Sequence, residues 1–284
     1  MSEQPAPPPA PGPRRVRVHH LRQMKEQARP ITMLTAYDAL VAAVFDEAGT
    51  DVLLVGDSYG TVVLGHPTTV GVRLEELLPV VRAVAGAVRR PLVVADLPFG
   101  SYGADPAQAM ATAVRLMKEG EAHAVKLEGG RPVAASVRAL VDAGVPVMGH
   151  LGFTPQSEHA LGGFRVQGRG EEAAAAMLAD ALALQEAGAF AIVLEMVPPS
   201  TAQRLTRELA IPTIGIGAGT GCDGQVLVWT DMAGLTPRAP RLAKAYADLR
   251  GTLLDAARAY GEEVRSGAFP GPEQTYPEQA TSPG

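Results

Sequence analysis

Three short apolar runs in this chain end in a carboxylate. Asp57 closes Asp51-Val-Leu-Leu-Val-Gly-Asp57, Asp96 follows Pro91-Leu-Val-Val-Ala95, and Glu195 follows Ala191-Ile-Val-Leu194. Lys126 and Glu128 close a fourth run, and His150 a fifth. An acid at the mouth of an apolar strand is costly to bury unless a partner or a metal compensates it. Asp57 and Asp96 are 39 positions apart (96 minus 57), about one strand-helix unit, so successive strands would set them side by side. Adjacent carboxylates repel unless a divalent cation or a shared proton lies between them. A cation is the better reading: oxygen donors without cysteine or clustered histidine suit Mg²⁺, which takes one or two carboxylates together with water and substrate oxygens. Any one of these acids alone reads equally well as a salt-bridge partner or a helix cap; it is the set that argues for a site. His150, at a strand end, belongs with them, whereas His19, His20, His66, His123 and His159 are scattered and read as solvated or structural.

Two motifs point elsewhere and fail on context. Gly56-Asp-Ser-Tyr-Gly60 matches the nucleophile elbow G-x-S-x-G, but an elbow needs a helix directly after the serine, and Thr61-Val-Val-Leu-Gly-His-Pro67 is β-branched and broken by Gly and Pro. Gly219-Thr-Gly-Cys-Asp-Gly224 matches the dinucleotide pattern G-x-G-x-x-G, yet it precedes an apolar run instead of a helix. A tight turn suits it better.

The elements that position these residues repeat one grammar of apolar run, loop, then helical stretch ending in Gly. Strands are expected near 31–34, 52–55, 92–95, 124–127, 145–148, 191–194, 212–216 and 225–229. Helical patterns lie between most of them, at 38–48, 74–88, 106–119, 132–143 and 171–187, several stopping at the glycine that ends helices in the left-handed conformation. A long helical stretch at 239–264 would close the domain, and only the Gly-rich link between the seventh and eighth strands leaves no room for a helix. Such alternation implies right-handed parallel units, and eight of them close most naturally as a (β/α)8 TIM barrel of the α/β class; an open doubly wound sheet is the alternative. Active sites of such barrels lie at the carboxyl ends of the strands, where the acids stand. Side-chain alternation puts Lys126 and Glu128 on one side of their strand and Leu127 on the other.

A chain of 284 residues with 46% hydrophobic and 19% charged side chains has material for one large core. The expected organisation is a Pro-rich disordered tail over 1–15, a catalytic barrel over 16–268 and a loose tail over 269–284. A net charge of −5 argues against a nucleic-acid face. No apolar run is long enough for a membrane span, and a single cysteine, Cys222, suits a reducing cytoplasm.

Several long segments carry a family resemblance. Thr32-Met-Leu-Thr-Ala-Tyr-Asp38, Gly56-Asp-Ser58, Ala95-Asp-Leu-Pro-Phe99, Val125-Lys-Leu-Glu-Gly-Gly130 and Gly149-His-Leu-Gly-Phe-Thr-Pro-Gln156 resemble ketopantoate hydroxymethyltransferases, as do Gly162 to Gly170, Leu194-Glu195 and Ile214 to Gln225. The match covers roughly 16–270, in order. It departs where Thr230 stands in place of a frequent histidine and in the Pro-rich start. The resemblance implies a (β/α)8 barrel that moves a hydroxymethyl group from 5,10-methylenetetrahydrofolate to 3-methyl-2-oxobutanoate, forming 2-dehydropantoate through a Mg²⁺-stabilised enolate. It implies one Mg²⁺ per subunit held by Asp57 and Asp96 with Glu128 completing its surroundings. Asp57, Ser58, Asp96 and Lys126 would contact the oxo acid, joined by His150 from its strand-end position, and Glu195 would accept the proton. It also implies a homo-oligomer, commonly a decamer. The alternatives are a Mg²⁺-dependent lyase or mutase of the phosphoenolpyruvate and isocitrate lyase type, and a non-catalytic oxo acid binder.

Overall fold

The computed structural model describes residues 15–103 and 105–276. Of the expected tails over 1–15 and 269–284, residues 1–14 and 277–284 lie outside the described residues. Eight parallel strands close into a barrel in chain order: β1 (Ile31–Thr35), β2 (Val52–Val55), β3 (Leu92–Asp96), β4 (Ala124–Glu128), β5 (Val147–Gly152), β6 (Ala191–Glu195), β7 (Thr213–Ile216) and β8 (Gly224–Leu227). The TIM barrel is therefore the architecture, and the open sheet is excluded. Strands β2, β3 and β4 are buried at every residue, which is why β2 and β3 run apolar without alternation up to Asp96, while β4 buries Lys126 and Glu128 among its apolar residues.

The helices follow the apolar stripes. They are α1 (Val18–Glu26), α2 (Ala39–Glu47), α3 (Ser58–Val62), α4 (Leu74–Ala87), α5 (Pro106–Lys118), α6 (Ala134–Asp142), α7 (Glu158–Leu161), α8 (Glu171–Glu186), α9 (Pro199–Glu208), α10 (Trp229–Met232) and α11 (Leu249–Ser266). Local chemistry sets several starts. Asp38 accepts from Val41 N at 2.9 Å to cap α2, and Asp105 caps α5 with Pro106 in its first turn. As expected, no helix separates β7 from β8.

Two expectations change. The helix expected over 239–264 begins only at Leu249, where Asp248 accepts from Gly251 N; Pro240, which lacks a donor, lies in the turns before it. A short helix, α3, does follow Asp57 directly, so the objection raised against an elbow on that ground fails. Its β-branched residues are overridden by packing: Gly60 lies so close to Val72 that no side chain fits between them.

The chain divides into two compact units, one reaching to Trp229 and holding the whole barrel, the other starting at Thr230. In the second, α11 has no buried residue and ends at Gly267 with φ 75°. No helix among the described residues is long and apolar enough to cross a membrane.

Candidate active site

The strand register assembles the site. Parallel pairing sets Asp96 beside Lys126, Glu128 beside His150, and Gly152 beside Glu195. Asp57 follows β2 by two residues, and its N–H donates to Asp96 Oδ2 at 3.1 Å. Gly56 makes this approach possible, because a Cβ there would lie 2.9 Å from Ser58 Oγ and 3.1 Å from Asp96 Oδ2. A cavity of about 110 Å³ at this end is lined by Asp57, Ser58, Asp96, Lys126, Glu128, His150 and Glu195, so every site residue expected from the sequence borders one space. A hollow of about 230 Å³ among Val16, His20, Gln23, Arg29 and Arg90 lies toward the other end and holds no strand-end acid.

Lys126 is only 3% exposed, and its ammonium lies 2.9 Å from Asp96 Oδ1. His150 is flanked by acids: Nδ1 lies 3.3 Å from Glu128 Oε1 and Nε2 lies 3.4 Å from Glu195 Oε2. Lys126 Nζ also approaches Nδ1, at 3.3 Å. Ser58 Oγ pairs with Tyr37 Oη at 2.7 Å, so this serine shares its hydrogen bond with a phenol and not with an imidazole.

Burial and charge decide the protonation states. Burial, followed by the charges of Asp96 and Glu128, pushes the Asp57 carboxyl well above its usual range. Burial likewise raises Asp96, against the opposing pull of Lys126. Burial disfavours charge on Glu128 too, but His150 and Lys126 outweigh it and hold that carboxyl low. For His150, burial and Lys126 favour the neutral ring, yet contact with Glu128 and Glu195 prevails and lifts it to about 9. Lys126 is raised, its burial outweighed by Asp96, Glu128 and Asp57. Four carboxyl groups, Asp57, Asp96, Glu128 and Glu195, thus share one cavity with two basic side chains, Lys126 and His150, and burial with neighbouring carboxylates holds Asp57 and Asp96 toward their neutral forms.

A divalent cation would offset that crowding of carboxyl groups, and the donors fit one. Asp96 Oδ1 and Glu128 Oε1 are buried and meet only the basic side chains that line the cavity, Lys126 at 2.9 Å and His150 at 3.3 Å, with no backbone or amide donor on either among the described residues. Among the described residues no group of three or more His, Cys, Asp or Glu is arranged to hold a metal ion by itself. A cation here would draw the rest of its shell from water and substrate oxygens, as Mg²⁺ does.

Sequence reasoning assigned no role to three residues now seen at the site, Tyr37, Tyr102 and Gln156. Tyr37 and Gln156 lie within segments quoted for the resemblance, and all three follow strand ends, the signal that could have marked them. Gln156 is 4% exposed and donates from Nε2 to Asp57 Oδ2 at 2.7 Å, and from its backbone N to Glu128 Oε2 at 3.0 Å.

Comparison with known proteins identifies the family. The family model described as ketopantoate hydroxymethyltransferase matches residues 15–272. A protein of Saccharopolyspora erythraea named 3-methyl-2-oxobutanoate hydroxymethyltransferase is 64% identical, over 94% of this chain and 91% of its own length. One of Nocardioides sp. with the same name is 60% identical, over 95% and 92%. Among solved structures, the phosphoenolpyruvate phosphomutase of Streptomyces platensis subsp. rosaceus superposes with a TM-score of 0.60 at 17% identity, covering 92% of each chain. A phosphonopyruvate hydrolase complexed with oxalate and Mg²⁺ gives 0.58 at 15%, covering 90% of this chain and 92% of its own. These two share the fold. The family match and the close relatives together establish that this chain belongs to the ketopantoate hydroxymethyltransferase family.

Proposed function

We propose that this protein is a 3-methyl-2-oxobutanoate hydroxymethyltransferase, taking its one-carbon unit from 5,10-methylenetetrahydrofolate and releasing 2-dehydropantoate. The observation that carries this reading is the placement of Glu195. It borders the same cavity as Asp57, Asp96 and Lys126 but stands on β6, four strands round the barrel from β2. A base so placed can take a proton from a substrate held on the far side.

Asp57 and Asp96 would hold Mg²⁺, with Glu128 completing its surroundings. Bound there, Mg²⁺ supplies Lewis-acid stabilisation of negative charge on the oxo acid's ketone and carboxylate oxygens. Ser58 donates to the carboxylate, and His150 holds Glu195 in place through Nε2. Glu195 takes the proton from C3, and the electron pair moves toward the ketone oxygen. Lys126 meets the charge growing there. C3 then bonds to the one-carbon unit, which with water becomes the hydroxymethyl group as tetrahydrofolate leaves. A cytoplasmic homo-oligomer is the setting this reading carries.

The lyase or mutase alternative calls for a reactive cysteine in a loop at the mouth. Cys222 instead lies beside Thr206 and Thr213, where β7 begins, and burial pushes its thiol up. The test is exchange of the C3 proton of 3-methyl-2-oxobutanoate with D₂O, in the presence of Mg²⁺ and without folate. The protein should catalyse exchange, and Glu195→Gln should slow it about 10²–10⁴-fold while still binding the oxo acid. Background exchange with demonstrably bound oxo acid would defeat the assignment of Glu195.

A further inference from the structure

We propose that Gln156, oriented by Tyr102, is a positioning residue that commits one oxygen of Asp57 and one of Glu128 to the protein and leaves the other of each to face a divalent cation. The inference rests on the proposed function only in taking these acids as the cation's ligands.

Each of the three acids has one oxygen engaged by a fixed N–H. Asp96 Oδ2 accepts from Asp57 N, Asp57 Oδ2 from Gln156 Nε2, and Glu128 Oε2 from Gln156 N. The second oxygen of Asp96 lies 2.9 Å from Lys126 Nζ and that of Glu128 lies 3.3 Å from His150 Nδ1, so each is turned to the cavity that these side chains line. Gln156 therefore supplies two of the three fixed donors, one from its side chain and one from its backbone. Residues 155–157 form a single 3-10 turn directly after β5, which carries both donors on one rigid loop.

The orientation of the amide follows from its neighbours. Tyr102 Oη accepts from Glu128 N at 3.0 Å, so its own proton is free to go to Gln156 Oε1, 2.7 Å away. The amide nitrogen must then face Asp57 Oδ2 and Leu97 O, at 2.7 and 3.0 Å, and both its protons are used. The flipped amide would point an oxygen at two acceptors. Through its side chain Gln156 ties its own loop after β5 to the loops after β2 and β3, and through its backbone N to the end of β4. Asp96 already leans on Lys126 and Glu128 on His150, and carboxylates left free to turn would close further on those same side chains. Held as they are, they stay poised for a cation, and the outer partners of metal ligands are commonly worth 10–100-fold in metal affinity.

The experiment titrates Mn²⁺ into the full-length protein and follows free Mn²⁺ by EPR. Gln156→Leu keeps the bulk and removes the side-chain donor to Asp57, and it should weaken Mn²⁺ about tenfold or more. Saturating Mn²⁺ should then restore most of the C3 exchange rate, a split between affinity and turnover that general misfolding would not produce. Affinity within about twofold of wild type overturns the role of Gln156. Tyr102→Phe removes only the hydroxyl and should weaken Mn²⁺ about threefold; if Gln156→Leu fails to fold by near-UV circular dichroism, unchanged affinity in Tyr102→Phe overturns the proposal in its place. Wild-type protein that holds no Mn²⁺ would overturn the ligand assignment itself, a result separable from the others.

Discussion

Replacing Lys126 with methionine isolates the electrostatics of the site from its chemistry. Methionine keeps most of the length and volume, so the change removes charge and little else. Lys126 and Asp96 are each 2–3% exposed and 2.9 Å apart, which places the pair where water screens it poorly. Breaking such a pair by removing one partner costs about 3–5 kcal/mol, because the remaining charge stays buried without compensation. Glu128 and Asp57 also lean on this ammonium, which argues for the upper part of that range. Urea unfolding in EDTA, followed by circular dichroism, measures the loss. The same substitution in an Asp96→Asn background should cost less than about half as much, since one stranded carboxylate is already gone. The pH dependence has a definite sign. Without Lys126 the folded-state carboxyl of Asp96 rises further above its unfolded value near 3.9, so the folded variant binds a proton that the unfolded chain releases. The penalty is thus complete above the raised folded value and shrinks as pH falls through it. A cost below about 1 kcal/mol, or one indifferent to both pH and the residue at 96, would refute the reasoning.

Two further outcomes follow from other contacts. His123 sits between β3 and β4, where Val93 N donates to Nδ1 at 2.9 Å and Arg15 approaches Nε2 at 3.2 Å; burial, then Arg15 and Arg17, push it down to about 4. The unfolded chain takes up this proton near 6.5 and the fold resists it, so stability present above 6.5 is lost toward pH 4, by roughly 1–2 kcal/mol once solvent screening at a part-exposed ring is discounted. His123→Asn, which keeps an acceptor for Val93 N, should flatten urea-derived stability between pH 7 and 5; an unaltered slope would clear His123 of the effect. Gly56→Ala presses a methyl group toward Asp96 Oδ2 and should slow C3 exchange about tenfold with the far-UV spectrum unchanged. Wild-type exchange would show that Asp96 yields freely.

The strand framework was legible because a parallel strand buried on both faces must be apolar throughout, so Asp57, Asp96, Glu128 and Glu195 interrupt their runs where the strands end. What was illegible had weak or non-local causes. Helix α1 is polar over much of its length and follows a Pro-rich stretch, with only Leu21 and Met24 buried. Helix α3 exists because Gly60 packs on Val72, a contact no local pattern announces. The stretch 239–248 is rich in helix formers, yet the cap at Asp248 decides where α11 starts. Gln156 is a single amide in a short turn, and its importance lies in partners 59 and 99 positions away. The family resemblance supplied substrate and base; it gave no role to Gln156 or Tyr102.

Strand β2 carries an acid at each end, and the contrast between them explains why burial alone does not mark a site. Asp51, 4% exposed, precedes the strand. Its Oδ1 meets Arg90 at 2.6 Å and Arg29 at 3.4 Å, and its Oδ2 accepts from Thr32 N and Thr32 Oγ1. Asp223, at the same end before β8, is likewise held by Lys25 and Thr213. These acids are saturated, and the fold uses them to fasten α1 and the loops to the strand starts. Asp96 and Glu128 are as buried, but the side chains they lean on, Lys126 at 2.9 Å and His150 at 3.3 Å, themselves line the cavity, and burial with the charges of Asp96 and Glu128 drives Asp57 toward protonation. An arrangement that crowds raised carboxyl groups and a cation-paired glutamate at one end of the barrel leaves a demand for further positive charge there. The chemistry follows that demand at the carboxyl ends of the strands, where the acids border one cavity, whereas the hollow toward the other end holds no strand-end acid.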